Sequence, residues 1–463
     1  MNQFVARLHT VVQGGQNGIA GYMLRGVSTS FLLQGFGLAL VTGSSVLLAR
    51  LLGAAGYGTY SYVLAWLEIL KIPVAYGLPI LVQREVAVYA ARQDWPLVRG
   101  LFTRLNQFII AMSAFIIGLA VITATFGIAG LFEDAIERRT LFIALVSLPI
   151  AAFSAIRAAT LNGLHLIGKA AFPDQIVRPS TTIVAIGILW LLGARLTAET
   201  AMIAQVTGIT CAFGLGVLFL WRALPAGFAA LPARFETRTW ARAMGPFLLH
   251  GASYVVWASL AVVMLGWYRS PAEVGVYRAA ALAAGLSIFP ITAFVATVSP
   301  LVARLYAEGD TARIQKVVST TTLAMFAFGF CGVAGYALIG HWLLAFVFGP
   351  EFDSGYWPLV IIAGGNWVFS GIWSVGVLLD MSGNQRFPAM AYMGALVVNL
   401  VLGVVLIPRL GLIGAAISTA GSWALAHMWL AIVVTRRLGI RPDIMRSLVW
   451  GVARFAGRQQ ANG

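Results

Sequence analysis

The chain has 463 residues, of which 60% are hydrophobic and 10% are charged. Soluble globular proteins carry about 25% charged residues, so this composition excludes a soluble fold and indicates an integral membrane protein. A net charge of +15 would suit nucleic-acid binding in a soluble protein, but in a membrane protein the positions of the cations along the chain explain it.

Apolar stretches long enough to cross a bilayer as a helix, about 20 residues each, recur from one end of the chain to the other. They lack the alternation of membrane β-strands. The fold class predicted is all-α integral membrane, with about twelve transmembrane helices near residues 28–49, 58–83, 103–131, 140–163, 177–194, 200–221, 245–268, 275–303, 318–348, 355–379, 387–408 and 411–435.

The cations predict the orientation of these helices. If the N-terminus is cytoplasmic, 23 of the 31 Lys and Arg residues, Arg157 among them, fall in cytoplasmic segments, 7 lie on the opposite side, and Lys71 lies within a span. Cytoplasmic loops of membrane proteins carry the excess of Lys and Arg. Both termini are therefore predicted to be cytoplasmic.

A weak internal repeat divides the chain at its midpoint. Offsets of 217 and 215 residues align small, aromatic and proline residues at the same place in the helix order, namely Gly58 with Gly275, Tyr60 with Tyr277, Pro73 with Pro290, Tyr89 with Tyr306, Gly168 with Gly383 and Pro173 with Pro388. Six helices separate each pair, so the halves keep the same orientation, as parallel transporter repeats do. The prediction is two parallel six-helix lobes around a central cleft.

The predicted boundaries follow from this repeat and from the longest loop. They are a cytoplasmic N-terminal segment (1–27), an N-lobe (28–221), a cytoplasmic amphipathic linker (222–244), a C-lobe (245–436) and a basic cytoplasmic tail (437–463). The linker contains RFETRTWARAM, a pattern that favours a segment lying on the membrane surface.

Motifs of catalysis and metal binding are missing from the sequence. It has no G-x-x-x-x-G-K-[ST] loop, no H-E-x-x-H and no cysteine cluster, and its five histidines are scattered. The acidic stretches 133–139 and 350–353 are short and are interpreted as solvated turns. We expect no enzymatic activity, no catalytic residues, no metal site and no nucleic-acid partner.

Four stretches carry a resemblance to a known family. LLARLLGAAGYGTYSYVLAW (47–66) resembles the first helical hairpin of the polysaccharide transporter family, part of the multidrug/oligosaccharidyl-lipid/polysaccharide flippase superfamily. SPAEVGVYRAAALA (270–283), FGPEFDSGYWPLVIIAG (348–364) and LGLIGAAISTAGSW (410–423) are similar to further segments of that family.

The resemblance implies an alternating-access flippase in the bacterial inner membrane. It would move polyprenyl-pyrophosphate-linked oligosaccharides from the cytoplasmic to the outer leaflet for O-antigen, capsule or exopolysaccharide assembly. The implied partners are the lipid bilayer, the lipid-linked glycan, and the polymerase and glycosyltransferases of the same pathway. No cofactor is implied, although H⁺ or Na⁺ remains open as a coupling ion. The alternatives are a cation-coupled multidrug exporter of the same superfamily and a noncatalytic membrane partner of an envelope-polymer synthase.

Polar residues inside the spans are the candidates for lining the cleft. His250, Tyr254, Asn366 and Asn399 either line it or form hydrogen bonds between helices. Arg278 either reaches the lipid head groups or contacts pyrophosphate or glycan at the outer mouth. Arg25, Arg84 and Arg304 are candidates for capturing the head group on entry, although the positive-inside rule also explains them.

Glu68 and Lys71 are charged residues in the middle of the second predicted span. A charge at the bilayer centre costs about 2.5–3.5 kcal/mol on insertion scales, so each needs a partner or water. Their spacing of three places them on one face of a helix, just before Pro73, which permits a bend. Two interpretations stay open: a mutually neutralising pair that fixes packing, or a cleft pair in which Lys71 attracts pyrophosphate and Glu68 couples a proton or cation.

Overall fold

The computed structural model describes residues 15–126, 132 and 134–440. Within these ranges the side chains of 15–32 and 244–250, and of six residues between 292 and 300, lie outside the described set. No strand occurs among the described residues, which agrees with the predicted all-α fold.

The described residues of the first half form helices at every predicted span, and residues 127–131 of the span predicted at 103–131 lie outside the described set. In chain order they are α1 (Gly15–Leu70), α2 (Ile72–Ala75), α3 (Leu78–Ala91), α4 (Trp95–Thr125), α5 (Ala135–Gly163), α6 (Ile167–Phe172), α7 (Arg178–Leu191) and α8 (Ala198–Ala223). A π-helical turn, Pro173–Val177, joins α6 to α7. Such turns are rare and occur often at functional sites.

The second half is helical to the same extent. Its helices are α9 (Thr237–Tyr268), α10 (Pro271–Gly285), α11 (Phe289–Ala307), α12 (Thr311–Val347), α13 (Tyr356–Ser370), α14 (Val375–Met381), α15 (Arg386–Leu410) and α16 (Leu412–Leu438). Short 3₁₀ turns at Phe228–Ala230, Leu286–Ile288 and Pro350–Gly355 connect them.

The chain is a multi-pass membrane protein. Nine helices among the described residues are long and apolar enough to cross a bilayer, and the pair Pro350–Ser370 and Val375–Met381, bent by 44°, adds a tenth. Leu33–Leu70 covers parts of two predicted spans, 28–49 and 58–83, and the helix predicted at 177–194 follows α6 and the π-helical turn without a break. The prediction of about twelve helices is consistent with this architecture.

Two compact units make up the described chain. The first contains the residues up to Leu52 together with Trp66–Ala252, and the second contains Gly53–Ala65 together with the residues from Ser253 onwards. The second unit is therefore built from two separate stretches of sequence. The lobe limits predicted at 221 and 245 stay predictions.

Gly53 breaks the long helix α1. Its φ of 68° and ψ of 178° are not helical, and this left-handed φ is accessible to glycine at little cost. The amide nitrogen of Ala54, exposed by the break, donates a hydrogen bond of 2.8 Å to Glu351 Oε2. Glu351 therefore acts as a cap of the helix that resumes at residue 54. The residue is exposed in the turn Pro350–Gly355, so this capping role is compatible with the interpretation of 350–353 as a solvated turn.

The helices that begin at residues 54 and 271 touch through their backbones, both within the second unit. A Cβ atom added at Gly58 would lie 1.7 Å from the Pro271 carbonyl oxygen, and one added at Gly275 would lie 2.1 Å from the Ala54 carbonyl oxygen. The repeat aligns Ala54 with Pro271 and Gly58 with Gly275, so the contact is reciprocal, as contacts across a two-fold axis are. Small residues spaced four apart permit such close crossings in membranes.

The segment predicted as an amphipathic linker packs on the first unit. Its residues from Thr237 onwards form the first turns of α9. Ahead of it, the Arg234 amide donates a 3.0 Å hydrogen bond to the Pro96 carbonyl, and the buried Trp240 donates one of 3.0 Å to the Tyr89 hydroxyl.

Candidate functional site

A cavity of about 310 Å³ opens within the second unit. Helices α9, α13 and α16 supply its aromatic wall, and Asn366 and Thr419 supply polar groups. Ligand pockets of proteins have about this size and combine apolar walls with a few placed polar groups. Two predicted site residues, Tyr254 and Asn366, meet here although 112 residues separate them in the sequence.

Stacked rings form the floor of this aromatic cavity. The Trp257 and Trp423 ring centroids lie 4.3 Å apart at 28°, and Tyr392 stacks on the Trp423 ring at 5.5 Å and 6°. Tyr254 flanks both indoles at 6.0 and 6.1 Å. Half of the Tyr254 surface is exposed, so part of this ring is available to a bound molecule.

Hydrogen bonds hold the rings and the polar groups of the cavity. Trp257 Nε1 donates to Ser422 Oγ at 3.0 Å, and Asn399 Nδ2 donates to the Trp257 carbonyl at 3.3 Å. Asn366 Nδ2 donates to the Ala284 carbonyl at 3.0 Å and to Ser287 Oγ at 3.2 Å. Asn399 is buried, and its Oδ1 atom has no hydrogen-bond partner among the described residues.

Glu68 and Lys71 form an ion pair in the first unit. Lys71 Nζ lies 2.5 Å from Glu68 Oε1, and the Tyr76 hydroxyl donates a hydrogen bond of 3.2 Å to Glu68 Oε2. The Lys71 side chain is 16% exposed and that of Glu68 is 40% exposed. Helix α1 ends one residue before Lys71, and α2 carries Pro73, so the pair lies at the interruption of the helix.

A buried charge cluster elsewhere in the first unit was missed by the sequence prediction. The Arg157 side chain is 2% exposed, and its Nη2 atom donates to Asp174 Oδ2 and, at 3.1 Å, to Ser154 Oγ. Ser154 Oγ in turn donates to Asp174 Oδ1 at 3.0 Å. Arg157 Nε and Nη1 are buried without a partner among the described residues. Arg157 lies inside α5, within the span predicted at 140–163, as a buried helix residue, and the cytoplasmic side assigned to it stays a prediction.

Helix α8 approaches this cluster through a glycine. A Cβ atom added at Gly216 would lie 2.1 Å from Arg157 Nη1, so the guanidinium fills the space that a side chain would need. Asp174 lies in the π-helical turn, and its side chain is 33% exposed. The cluster thus holds a partly accessible carboxylate beside a buried cation.

The other predicted residues lie apart from these groups. Arg278 is exposed on α10 between buried neighbours, and Arg84 Nη2 lies 2.6 Å from Glu85 Oε1. Arg304 Nε lies 2.8 Å from Glu308 Oε1. Arg25 lies in α1 and His250 in α9, but their side chains fall outside the described residues.

A family profile described as "Polysaccharide biosynthesis protein" matches residues 23–306. A sequence relative from Haloferax volcanii, named "Probable low-salt glycan biosynthesis flippase Agl15", is 24% identical over 407 residues, which cover 85% of this chain and 79% of the relative.

Solved structures share the fold. An inward-facing MATE-family multidrug resistance transporter of the MOP superfamily matches with a TM-score of 0.71 and 13% identity, over 86% of this chain and 95% of the other. The lipid II flippase MurJ in an inward closed conformation matches with a TM-score of 0.70 and 12% identity, over 89% of this chain and 87% of the other. At such identities the likeness establishes the fold and no more.

Proposed function

This chain belongs to the polysaccharide biosynthesis protein family, and from that premise we propose that it is a flippase of lipid-linked glycans. It carries oligosaccharides linked to a polyprenyl pyrophosphate from the cytoplasmic to the outer leaflet. The product serves the assembly of O-antigen, capsule or exopolysaccharide. The relative from Haloferax volcanii, named as a glycan biosynthesis flippase, supports the same substrate class.

The aromatic cavity is the observation that carries this proposal. A sugar ring presents an apolar face of C–H groups and a rim of hydroxyl groups. The ring surfaces of Tyr254, Trp257 and Trp423 that line the cavity suit the first, and Asn366, Thr419 and the Tyr254 hydroxyl at the cavity suit the second. Such a cavity binds one or two sugar units while the remaining glycan stays in water.

Charged residues handle the pyrophosphate and the driving ion in this proposal. Lys71 attracts the phosphates as a point charge, and Glu68 exchanges a coupling proton or Na⁺. Arg278, exposed on α10, contacts the substrate at the outer mouth, while Arg25, Arg84 and Arg304 capture the head group on the cytoplasmic side. His250 lines the cleft in this proposal, and Asn399 holds Trp257 through its hydrogen bond to the Trp257 carbonyl.

The transport cycle is alternating access in the bacterial inner membrane, with both termini and the 222–244 segment cytoplasmic. Reporter fusions test this orientation. Fluorescent-protein fusions after Ala230 and Gly463 should fluoresce, and alkaline phosphatase fusions at the same sites should be inactive. The reverse pattern at either site would contradict the orientation.

A reconstituted flipping assay tests the function. Purified protein in liposomes should expose a lipid-linked oligosaccharide to an added endoglycosidase faster than protein-free liposomes do. Trp423→Ala should slow exposure about tenfold, because loss of an aromatic contact worth on the order of 1.4 kcal/mol changes a rate by that factor. Trp429→Ala is the matched control, since Trp429 lies on the same helix outside the cavity. Equal rates for both variants would reject the cavity as the glycan site.

Export of organic cations is the second candidate function. Faces of Trp and Tyr bind quaternary ammonium groups by cation–π attraction, and a MATE transporter shares the fold. Ethidium uptake into inverted vesicles that depends on a proton or Na⁺ gradient and is lost in Trp423→Ala would favour the exporter. Absence of such uptake, with glycan flipping intact, favours the flippase.

A further inference from the structure

A second cavity lies between the ends of α11 and α12, in the second unit. Its volume is about 430 Å³. Its lining combines three cations, Arg304, Arg313 and Lys316, with one acid, Glu308, and three aliphatic side chains, Leu301, Leu305 and Val317. The walls of this hairpin cavity are therefore both cationic and apolar.

The cations of the hairpin cavity keep donors available for a ligand. Arg304 uses Nε on Glu308, and Arg313 Nε lies 3.2 Å from Asp310 Oδ2, so the terminal nitrogens of both guanidinium groups face no acceptor among the described residues. The Lys316 ammonium has no ion pair there either. The Arg304 and Arg313 side chains are 77% and 71% exposed, and a phosphate could accept from all three cations.

The turn between the helices fixes this arrangement. Gly309 adopts a left-handed φ of 72°, the Asp310 amide donates to the Leu305 carbonyl at 3.1 Å, and the Asp310 carboxylate caps α12 by accepting from the Arg313 amide at 2.9 Å. The cations are thus carried by two helix ends joined by a well-bonded turn.

The position along the chain decides between a lipid and a soluble anion. After Lys316 the sequence has no Asp, Glu, Lys or Arg until Glu351, and before Arg304 it has none back to Arg278. The sequence of both helices therefore changes from charged to apolar at the cavity. In a membrane helix this boundary lies at the level of the lipid phosphates. Leu301, 43% exposed, extends an apolar wall from the cations toward those stretches. A lipid chain would contact this wall, whereas a soluble anion has no apolar part that would.

We propose that the hairpin cavity binds the phosphate or pyrophosphate group of an anionic lipid, with the lipid chain against Leu301, Leu305 and Val317. The ligand is a prenyl pyrophosphate or an anionic phospholipid, which share this chemistry. Because Arg304 is also a head-group residue of the proposed flippase, binding of the prenyl pyrophosphate rests on the proposed function, whereas binding of an anionic phospholipid does not.

Native mass spectrometry of the purified protein tests the site with four probes. These are geranylgeranyl pyrophosphate, phosphatidylglycerol, phosphatidylcholine and inorganic pyrophosphate. At least one of the two anionic lipids should bind more tightly than both phosphatidylcholine and inorganic pyrophosphate. A preference for the prenyl compound would assign a lipid carrier, and equal binding of both would assign a general anionic-lipid site. Inorganic pyrophosphate binding as tightly as the lipids would overturn the proposal.

Two double variants separate this cavity from general surface charge. Arg313→Gln with Lys316→Gln should weaken binding roughly fivefold for each cation removed. Arg238→Gln with Arg242→Gln removes the same charge from exposed positions outside the cavity and should change affinity by about twofold or less, since separated surface charges are screened. Equal losses in the two double variants would overturn the site.

Two further variants guard against misfolding and test the apolar wall. Lys316→Arg keeps the charge and should retain binding. Leu301→Asn should weaken lipid binding and leave inorganic pyrophosphate unchanged, whereas Leu338→Asn, at an 84% exposed position of α12, should affect neither. Unchanged lipid binding in Leu301→Asn would reject the lipid-chain contact.

Discussion

The charge cluster of the first unit and the aromatic cavity of the second accommodate polar groups among apolar helices in different ways. Both place polar chemistry inside apolar helices. Arg157 and Asp174 do so with opposite charges that neutralise each other, whereas Trp257 and Trp423 do so with neutral rings that each need at most one hydrogen bond.

This difference predicts how substitutions in each region affect stability and ligand binding. A buried ion pair is stable as a pair, and removing one partner leaves a charge without compensation. Substitution of a stacked aromatic residue removes contact area and dispersion attraction, and neighbouring side chains can partly replace both. We therefore expect substitutions in the cluster to act on stability first, and substitutions in the cavity to act on ligand binding first.

The largest expected effect is that of Asp174→Asn. It leaves the Arg157 guanidinium buried without its carboxylate, which should lower the free energy of unfolding by about 3–5 kcal/mol. Thermal unfolding of the purified protein in detergent measures this loss. The double variant Arg157→Met with Asp174→Asn should recover most of it, and a double variant as unstable as the single one would show that the pair is not the source.

Gly216→Ala should have the next largest effect. The new methyl group would meet Arg157 Nη1, and Arg157 cannot move away without weakening its bond to Asp174, so we expect a loss of about 1–3 kcal/mol. Gly214→Ala is the matched control, because nothing lies within 4 Å of a Cβ atom at that position of the same helix. Equal stabilities of the two variants would mean that the cluster is not tightly packed.

Trp257→Phe should cost less stability. It keeps a ring in the aromatic cavity and removes the hydrogen bond to Ser422, worth about 1 kcal/mol. Ligand binding should weaken more than stability does, since the stacked indole face is lost. Binding of a short oligosaccharide, followed by tryptophan fluorescence, measures the first effect, and thermal unfolding measures the second. A fall in stability alone would assign the ring to packing.

The smallest expected effect on stability is that of the Glu68–Lys71 pair, because Glu68 is partly exposed and exposed pairs contribute about 0–1 kcal/mol. Lys71→Met and Glu68→Gln should each retain fold and lose transport. The double variant decides the role of the pair. If transport stays lost in a stable protein, the charges act on substrate or coupling ion; if transport returns, the pair serves packing alone.

The sequence located the spans well because apolar length alone specifies a membrane helix. It failed where contacts join distant segments. Arg157 lies inside the span predicted at 140–163, but its partner Asp174 lies 17 residues further on, between that span and the next, so the sequence did not indicate their contact. Recognising that α6, the π-helical turn and α7 continue one another would have placed both charges inside the membrane fold.

The aromatic cavity was half visible in the sequence. Tyr254 and Asn366 were predicted as polar residues inside spans, whereas Trp257 and Trp423 carry no such signal, since tryptophan commonly anchors membrane interfaces. Their ring pairing joins α9 to α16 across 166 positions of the chain. No local sequence pattern predicts such a contact, and the weak internal repeat did not align these two residues.

The two sides of the reciprocal crossing at Gly58 and Gly275 are synthesised at different times. A ribosome adding roughly 5–20 residues per second needs on the order of 10–40 s to make the chain between them. During that delay the surface around Gly58 has emerged and has no backbone partner. Protein truncated before Pro271 would keep it unpartnered, open to exchange with the same segment of another nascent copy.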